Sequence, residues 1–555
     1  MTSPPPPSSP RQTLPAFEPL WPAERVLLHA AVDGSIAKIG YRRPDHESGP
    51  DVQVRAEFLA FLALGGGANA RISSNRLQVL GAVIVGRLDL RHQRVPVTLW
   101  FYRCVFSAAP QLAGANFNDS LSFRDCELPG LQAEGVRVAG ELELNAGCNV
   151  RGELIVARAR LARDLNLERL QLHSDPRSAE PDTCRLDADG MQTGGDVILS
   201  GGVQSAGEMN FTRARIRGDL RASGAHMSAA LDAAGLRGAA LILDRARVGG
   251  HVLLDGGFAA AGQVRFQRAR IGGDLDCSGA DFDVVGDASW GDAAAVLLDR
   301  AEIGGTLNLQ HLQRPLEGSS LVDAHVGVLL DDPQTWGTQH SLEGFTYARF
   351  DPAAPTDPSM RLGWLATQRG EDAGFRPDPW RRAIKVLRRM GQDDSAAEVA
   401  IGRERHLRRI GLIGLRTPAA LRWLPRLGHA LFGAFAGYGH RPLRVLAASG
   451  VLWLACAGAY WAAADSGLMQ PTQASAANHA TPFQPLIYSL DVLTPLVDLH
   501  QQRRWAPPVS DEDGLLSPVS LVLTLTWVEA LCGWLAALTL AAIATGVTDR
   551  DRHRL

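Results

Sequence analysis

Glu529 is the one charged residue in a long apolar stretch, VSLVLTLTWVEALCGWLAALTLAAIATGV (519–547). A carboxylate placed mid-bilayer costs about 2.5–3.5 kcal/mol on insertion scales, so such residues mark sites that hold a proton, a cation or a paired charge. Counting twenty residues back from Val547 puts Val528 at the outer edge of a span. Trp527 and Trp461 then form an outer aromatic belt, and Glu529 is expected just beneath it. Arg503 and Arg504, in the preceding loop, are the expected partners of the carboxylate. Two more acids, Asp491 and Asp498, lie seven residues apart in PFQPLIYSLDVLTPLVDL (482–499). That spacing puts both on one face of a helix, which Pro495 would bend.

Other reactive side chains fall into regular series. Cys104, Cys126 and Cys148 are spaced by 22 residues, which predicts a ladder of small buried thiols. The chain has seven cysteines but no CxxC pair, so neither a disulfide framework nor a metal or redox centre is expected. Arg158, Arg213 and Arg268 form one arginine series, and Arg245 and Arg300 a second. Asp244 and Asp299 stand beside two of them, with Asp219 and Asp274 close by, the pattern of a solvated face of mixed sign. GGGANA (65–70) lacks the ending of a phosphate loop and the spacing of a dinucleotide fingerprint, and is read as a turn. No cofactor, metal or catalytic residue is predicted. An enzyme using paired acids in a groove is kept as an alternative.

These series require a repeating scaffold. Gly140, Gly195, Gly250 and Gly305 are each 55 residues apart. Leu142, Val197, Val252 and Leu307 follow two residues on, and Leu144, Leu199, Leu254 and Leu309 two further. Leu165, Leu220 and Leu275 make a second series at the same period, interleaved at 23 and 32 residues. Apolar alternation at period 2 inside a unit of this size predicts stacked parallel strands in a β-solenoid. The paired glycines predict corners that need either positive φ or a close backbone approach. Coils of about 22–23 residues, with about nine extra in alternate coils, are expected over residues 79–345.

The flanking segments read as follows. Residues 1–15 are rich in Pro and Ser and are expected to be disordered, and 16–78 form a helical cap. Residues 331–375 are expected as a loop, and 356–440 as a basic helical hairpin with a juxtamembrane segment. Asp394 or Ser395 should cap its second helix after Gly391 ends the first. Residues 376–426 hold thirteen Arg or Lys against five Asp or Glu, and Arg405, Arg408, Arg409, Arg422 and Arg426 are candidate contacts for anionic lipid head groups. Transmembrane helices are expected at 445–464 and 519–547, enclosing an extracytoplasmic loop at 465–517, with a cytoplasmic tail at 548–555. The 482–499 segment is too apolar for a free loop and too short to span, so it should lie in the interface or re-enter. Arginines flank the outer ends of both spans and acids dominate the loop, which predicts that the solenoid and both termini are cytoplasmic. No signal peptide is evident, in keeping with that side.

The net charge is −3, too near zero to suggest a nucleic-acid partner. Five-residue spacing (Leu231, Leu236, Leu241, Ala246) and AGANF (113–117) resemble pentapeptide-repeat and related right-handed parallel β-helix proteins. With VRAEFLAFLALGG, FRPDPWRRAIKVLRRMG, YGHRPLRVL and PFQPLIYSLDVLTPLVDLHQQRRW, the chain resembles a bacterial group of membrane-associated β-helix proteins, some labelled oxidoreductases. The resemblance covers most of residues 50–550 and implies a mainly β fold, capped by helices and carried on an inner-membrane anchor. No dinucleotide, CxxC or haem motif supports the oxidoreductase label. The expected function is a non-enzymatic scaffold with a protein partner on the solenoid face, as a monomer or an oligomer. A two-helix channel, with TPLVDLH in the place of a filter, is the second reading.

Overall fold

A computed structural model describes residues 13–46, 48–67, 72, 75–173, 185–229, 237–283, 294–368, 375–415, 417–418, 421–472, 482–508 and 517–545. The chain divides into two compact units, Met1–Gln392 and Asp393–Leu555. The boundary falls inside the segment expected as a single basic hairpin.

The first unit opens with helices α1 (Pro22–Asp33) and α2 (Ala56–Ala63). Among the described residues its strands form three parallel sheets of 21, 10 and 7 strands, consistent with a parallel β-solenoid. The register follows the apolar repeat. Leu142 pairs with Leu165, then Val197, Leu220, Val252, Leu275 and Leu307 in turn. All are fully buried, so each coil brings one large aliphatic side chain into a shared core, at about 1.5–3 kcal/mol per residue. The additional residues of the longer coils, at 174–184, 230–236 and 284–293, lie outside the described residues, as do Leu231 and Leu236 of the five-residue series.

The glycines at the 55-residue period are explained by close approach, not by positive φ, which none of the four has. A Cβ on Gly195, Gly250 or Gly305 would lie 1.8, 2.0 or 2.1 Å from Oδ1 of Asp164, Asp219 or Asp274. Those oxygens are in use. Asp164 accepts from the Asp196 amide (2.7 Å), Asp219 from His251 (2.9 Å) and Asp274 from Thr306 (2.6 Å). Asp196 and the His251 ring fill the intervening rungs, accepting from the amides of Asp219 and Asp274. Of the acids read as a solvated face, Asp219 and Asp274 are therefore clamps, each tying its corner to the next coil. Cys104, Cys126 and Cys148 do stack in the core. The Cys126 and Cys148 sulfurs each accept from the amide of the cysteine one coil earlier.

The winding extends beyond its expected limits at both ends. Strands Ile36–Lys38 and Gln53–Arg55, inside the region read as a helical cap, pair in parallel with Arg76–Leu80 and Val83–Val85. After strand His325–Leu330, strand Thr346–Phe350 continues it through residues read as a loop. The double-glycine signature is lost there, but Gly327 keeps the close approach, 2.4 Å from its Cβ position to the Gly304 carbonyl. Helix α3 (Pro358–Ala366) then covers this end. It is locked by a fully buried pair in which Arg361 donates two hydrogen bonds to Asp331, at 2.6 and 2.8 Å. Helix α4 (Asp378–Arg389) lies on the last strand, with Arg382 donating to the Tyr347 carbonyl.

The second unit begins with α5 (Asp393–Arg409), so Asp394 and Ser395 lie in its first turn and do not cap it. It continues with α6 (Trp423–Ala436), α7 (Pro442–Asp465), α8 (Pro485–Leu493) and α9 (Pro518–Ala544). By length and composition, α7 and α9 are able to cross a membrane. Strand pair Gln470–Pro471 and Trp505–Ala506 closes the loop between them.

Candidate functional site

The site built around Glu529 lies where α7, α8 and α9 meet. Pro442, Pro485 and Pro518 each open a helix, and the Ser517 hydroxyl caps α9 by accepting from the Ser520 amide. The short α8 is wedged between the longer helices. Trp453 of α7 donates its indole N–H to the Leu486 carbonyl of α8 (2.9 Å). On the other side the α9 backbone approaches so closely that a Cβ on Gly533 would lie 2.0 Å from the Leu493 carbonyl oxygen. Only glycine permits that contact.

Glu529 has no exposed surface. Tyr460 of α7 donates to its Oε2 (2.7 Å), Ser489 of α8 bonds its Oε1, and the Cys456 thiol is its third partner. None of them is an arginine, which overturns the expected pairing with Arg503 or Arg504. Arg503 bonds Asp498 (3.0 Å), and the Arg504 carbonyl accepts from the Thr472 amide. Helix α9 ends at Ala544, and twenty residues counted back from there begin at Leu525, one turn before Glu529. The cluster is closed by Thr526, 3.3 Å from the Tyr460 hydroxyl, and by Tyr488 edge-on to Tyr460 at 4.8 Å.

The donors can be counted. The Ser489 hydroxyl also lies 3.0 Å from the Trp453 carbonyl, and Thr526 donates to the Val522 carbonyl. Serine has one hydrogen to share between a carbonyl and a carboxyl oxygen. When it turns to Trp453, only a protonated Glu529 can complete the bond to Ser489. The arrangement therefore suits either protonation state of Glu529, the Ser489 hydrogen turning to the carboxylate when it is ionised and to the Trp453 carbonyl when it is protonated, and it joins all three helices.

Asp491 and Asp498 are not on a common face, because α8 stops at Leu493, before Pro495. Asp491 is buried and accepts from the amides of Leu499 (2.6 Å), Gln501 (2.9 Å) and Gln502 (2.8 Å), so it shapes the loop after α8. Asp498 is outside, bonded by the His500 ring and by Arg503. Its carboxyl is held below the usual range, first by the His500 side-chain bond.

Of the arginines proposed to meet lipid, Arg405 and Arg409 are exposed on α5 and Arg408 is half-buried. Arg422 and Arg426 donate to the carbonyls of Thr417 and Ile413 and close the turn before α6. Helix α6 was hidden within the region read as basic. It exposes Trp423, Leu424, Leu427, Leu431 and Phe435.

The first unit carries a second candidate. The turn arginines Arg158, Arg213 and Arg300 pair with Glu134, Asp189 and Asp323 of adjacent coils, not with their sequence neighbours. Two residues beyond the turns runs another row. Arg137, Arg160, Gln192, Arg215, Arg247 and Arg270 share one register position, between Asn116 and Glu302. They line a groove of about 1140 Å³ whose floor carries the small residues Ala162, Gly194, Gly249 and Gly272. The sequence signal was present in the RAR triplets at 158–160, 213–215, 245–247 and 268–270, whose second arginines belong to this row.

Comparison with protein-family models, with curated proteins and with solved structures found no match.

Proposed function

We propose that this protein is a bacterial inner-membrane platform. A right-handed β-solenoid on the cytoplasmic side offers a binding surface, and α7 and α9 hold it to the bilayer as spans. The observation that carries the membrane reading is the apolar surface of the second unit. Leu443, Val451 and Trp461 of α7 and Trp527, Leu531 and Leu538 of α9 are all more than half exposed. Exposed apolar surface on that scale fits a lipid environment. The apolar face of α6 fits the interface plane, where Arg405, Arg409, Arg422 and Arg426 would meet anionic head groups.

A binding role is supported over a catalytic one by how the solenoid uses its reactive groups. The aspartates at the corners clamp neighbouring coils, the cysteines are stacked in the core, and the large groove is lined by six arginines, one carboxylate and no nucleophile–base pair.

Two measurements on the full chain test this reading. A cysteine replacing Ser475 should react with an impermeant thiol reagent in intact spheroplasts, and one replacing Ser223 only after lysis. The reverse pattern would overturn the topology. Purification in mild detergent should recover a stoichiometric protein partner. Ion flux in reconstituted liposomes without such a partner would move the reading to a pore.

A further inference from the structure

We infer that the arginine groove of the solenoid is the docking site for an acidic, extended peptide segment of a partner protein. The inference rests on the platform reading and adds the chemistry of the partner.

The first observation is spacing. In a parallel ladder, residues at one register position repeat at about 4.8 Å, so the rungs from Asn116 to Glu302 span about 34 Å. Gln192 divides the row into a pair (Arg137, Arg160) and a triplet (Arg215, Arg247, Arg270). The second is vacancy of charge. Among the described residues no carboxylate lies within ion-pair reach of Arg137, Arg160, Arg215 or Arg247, whereas Arg158 and Arg213, on the turns just before Arg160 and Arg215, are paired. The acids at the corners that follow this row are already engaged. Asp196 and Asp219 bond Arg221, and Asp274 meets His251, besides their bonds to backbone amides. Like charges held a rung apart repel one another, and an anionic occupant relieves that repulsion.

The third observation selects the anion. At one end of the row the chain supplies a carboxylate of its own, Glu302, which bonds Arg270 at 3.1 Å from the next rung. A carboxylate one rung along is thus a geometry that this row accepts. An extended peptide rises about 3.3 Å per residue, so about ten residues would run the length of the groove. The long arginine stems absorb the mismatch between 3.3 and 4.8 Å. Single-stranded nucleic acid binds on aromatic stacking platforms, and no aromatic side chain lines this groove. A recessed groove also does not fit the plane of a bilayer surface.

The test uses the full chain in mild detergent and a fluorescein-labelled oligoglutamate peptide, read by anisotropy. Binding should weaken as salt is raised. The double variant Arg215→Gln/Arg247→Gln should lose roughly fivefold to thirtyfold in affinity, the size expected for two exposed ion pairs. Arg213→Gln/Arg245→Gln, on the adjacent turns, should stay within about twofold and controls for net charge. Unchanged elution and melting of both variants exclude a folding effect. No binding at low salt, equal losses in the two double variants, or stronger binding of a labelled oligonucleotide or of linear polyphosphate would each overturn the proposal. A stoichiometric partner that co-purifies equally well with Arg215→Gln/Arg247→Gln would sink the groove while leaving the platform reading in place.

Discussion

Tyr460 of α7 donates a 2.7 Å hydrogen bond to Glu529 of α9, and the acceptor has no exposed surface. Glu529→Leu strips the acceptor from both Tyr460 and Ser489, so it should destabilise the helix cluster by about 1–3 kcal/mol. Glu529→Gln retains an acceptor for Tyr460 and offers a donor to Ser489, and should cost less than about 1 kcal/mol. Thermal inactivation of detergent-solubilised protein, followed by protease resistance of the 465–517 loop, orders the variants. A leucine variant at least as stable as wild type would show that the network contributes nothing.

Gly533 carries the second contact between these helices. An added methyl group meets the Leu493 carbonyl at 2.0 Å, so α8 must shift or α9 must bend. Gly533→Ala should cost about 1–3 kcal/mol, by the usual scale for overpacking. A cysteine pair reporting the α8–α9 distance should show α8 displaced. An undisturbed distance would mean that the helices yield without cost.

At the solenoid corner, Gly250 and Asp219 are expected to be coupled. The Cβ of Gly250→Ala would lie 2.0 Å from Asp219 Oδ1 and break its bond to the His251 amide. Asp219→Ala removes both the clamp and the clash. The double variant should therefore be more stable than the sum of the single losses predicts, with a coupling of about 0.5–3 kcal/mol. Additive losses in chemical denaturation would count against a carboxylate-gated corner.

His340, at the far end of the solenoid, makes stability depend on pH. It is fully buried beside Ser319 and Trp336, and burial pushes its pKa down to about 4. The unfolded value is about 6.5, so between these limits the unfolded chain binds more protons. The contribution is present in full above about pH 6.5 and is lost as pH falls towards about 4, by about 3 kcal/mol. Near-ultraviolet circular dichroism of the stacked Trp336 and Trp364 should report the loss of this end, and His340→Gln should flatten the dependence. An equally steep profile in the variant would assign the acid sensitivity elsewhere.

Much of the scaffold was legible in the residues. A coil is a local unit, so its 23- and 32-residue steps appear directly as spacing, and the observed register joins Leu142, Leu165 and Val197 as the period requires. The ends were harder. The strand Ile36–Lys38 has three residues, too few for a periodic signal, and Thr346–Phe350 carries no glycine of the repeat. The lengths of α7 and α9 followed from uncharged runs, because a membrane-length helix needs nothing beyond its own side chains and backbone hydrogen bonds.

Which groups meet Glu529 could not be read this way. Tyr460 and Ser489 lie 69 and 40 residues before it, on helices whose rotation and depth no repeat specifies. Arginines in the preceding loop were the chemically obvious partners, but the docking of α8 against Gly533 places hydroxyl groups at the carboxyl instead. The arginine groove lies between these extremes. Its period is in the chain, yet whether a given arginine faces an acid or an open groove depends on which coil lies above it. Arg213 lies in a turn and Arg215 two residues on, at the start of the strand that follows, and only stacking gives the first an aspartate and leaves the second without one among the described residues. Local spacing decides what is repeated; the packing of segments distant in the chain decides what each repeated group touches, because contact energies depend on distances that spacing alone does not set.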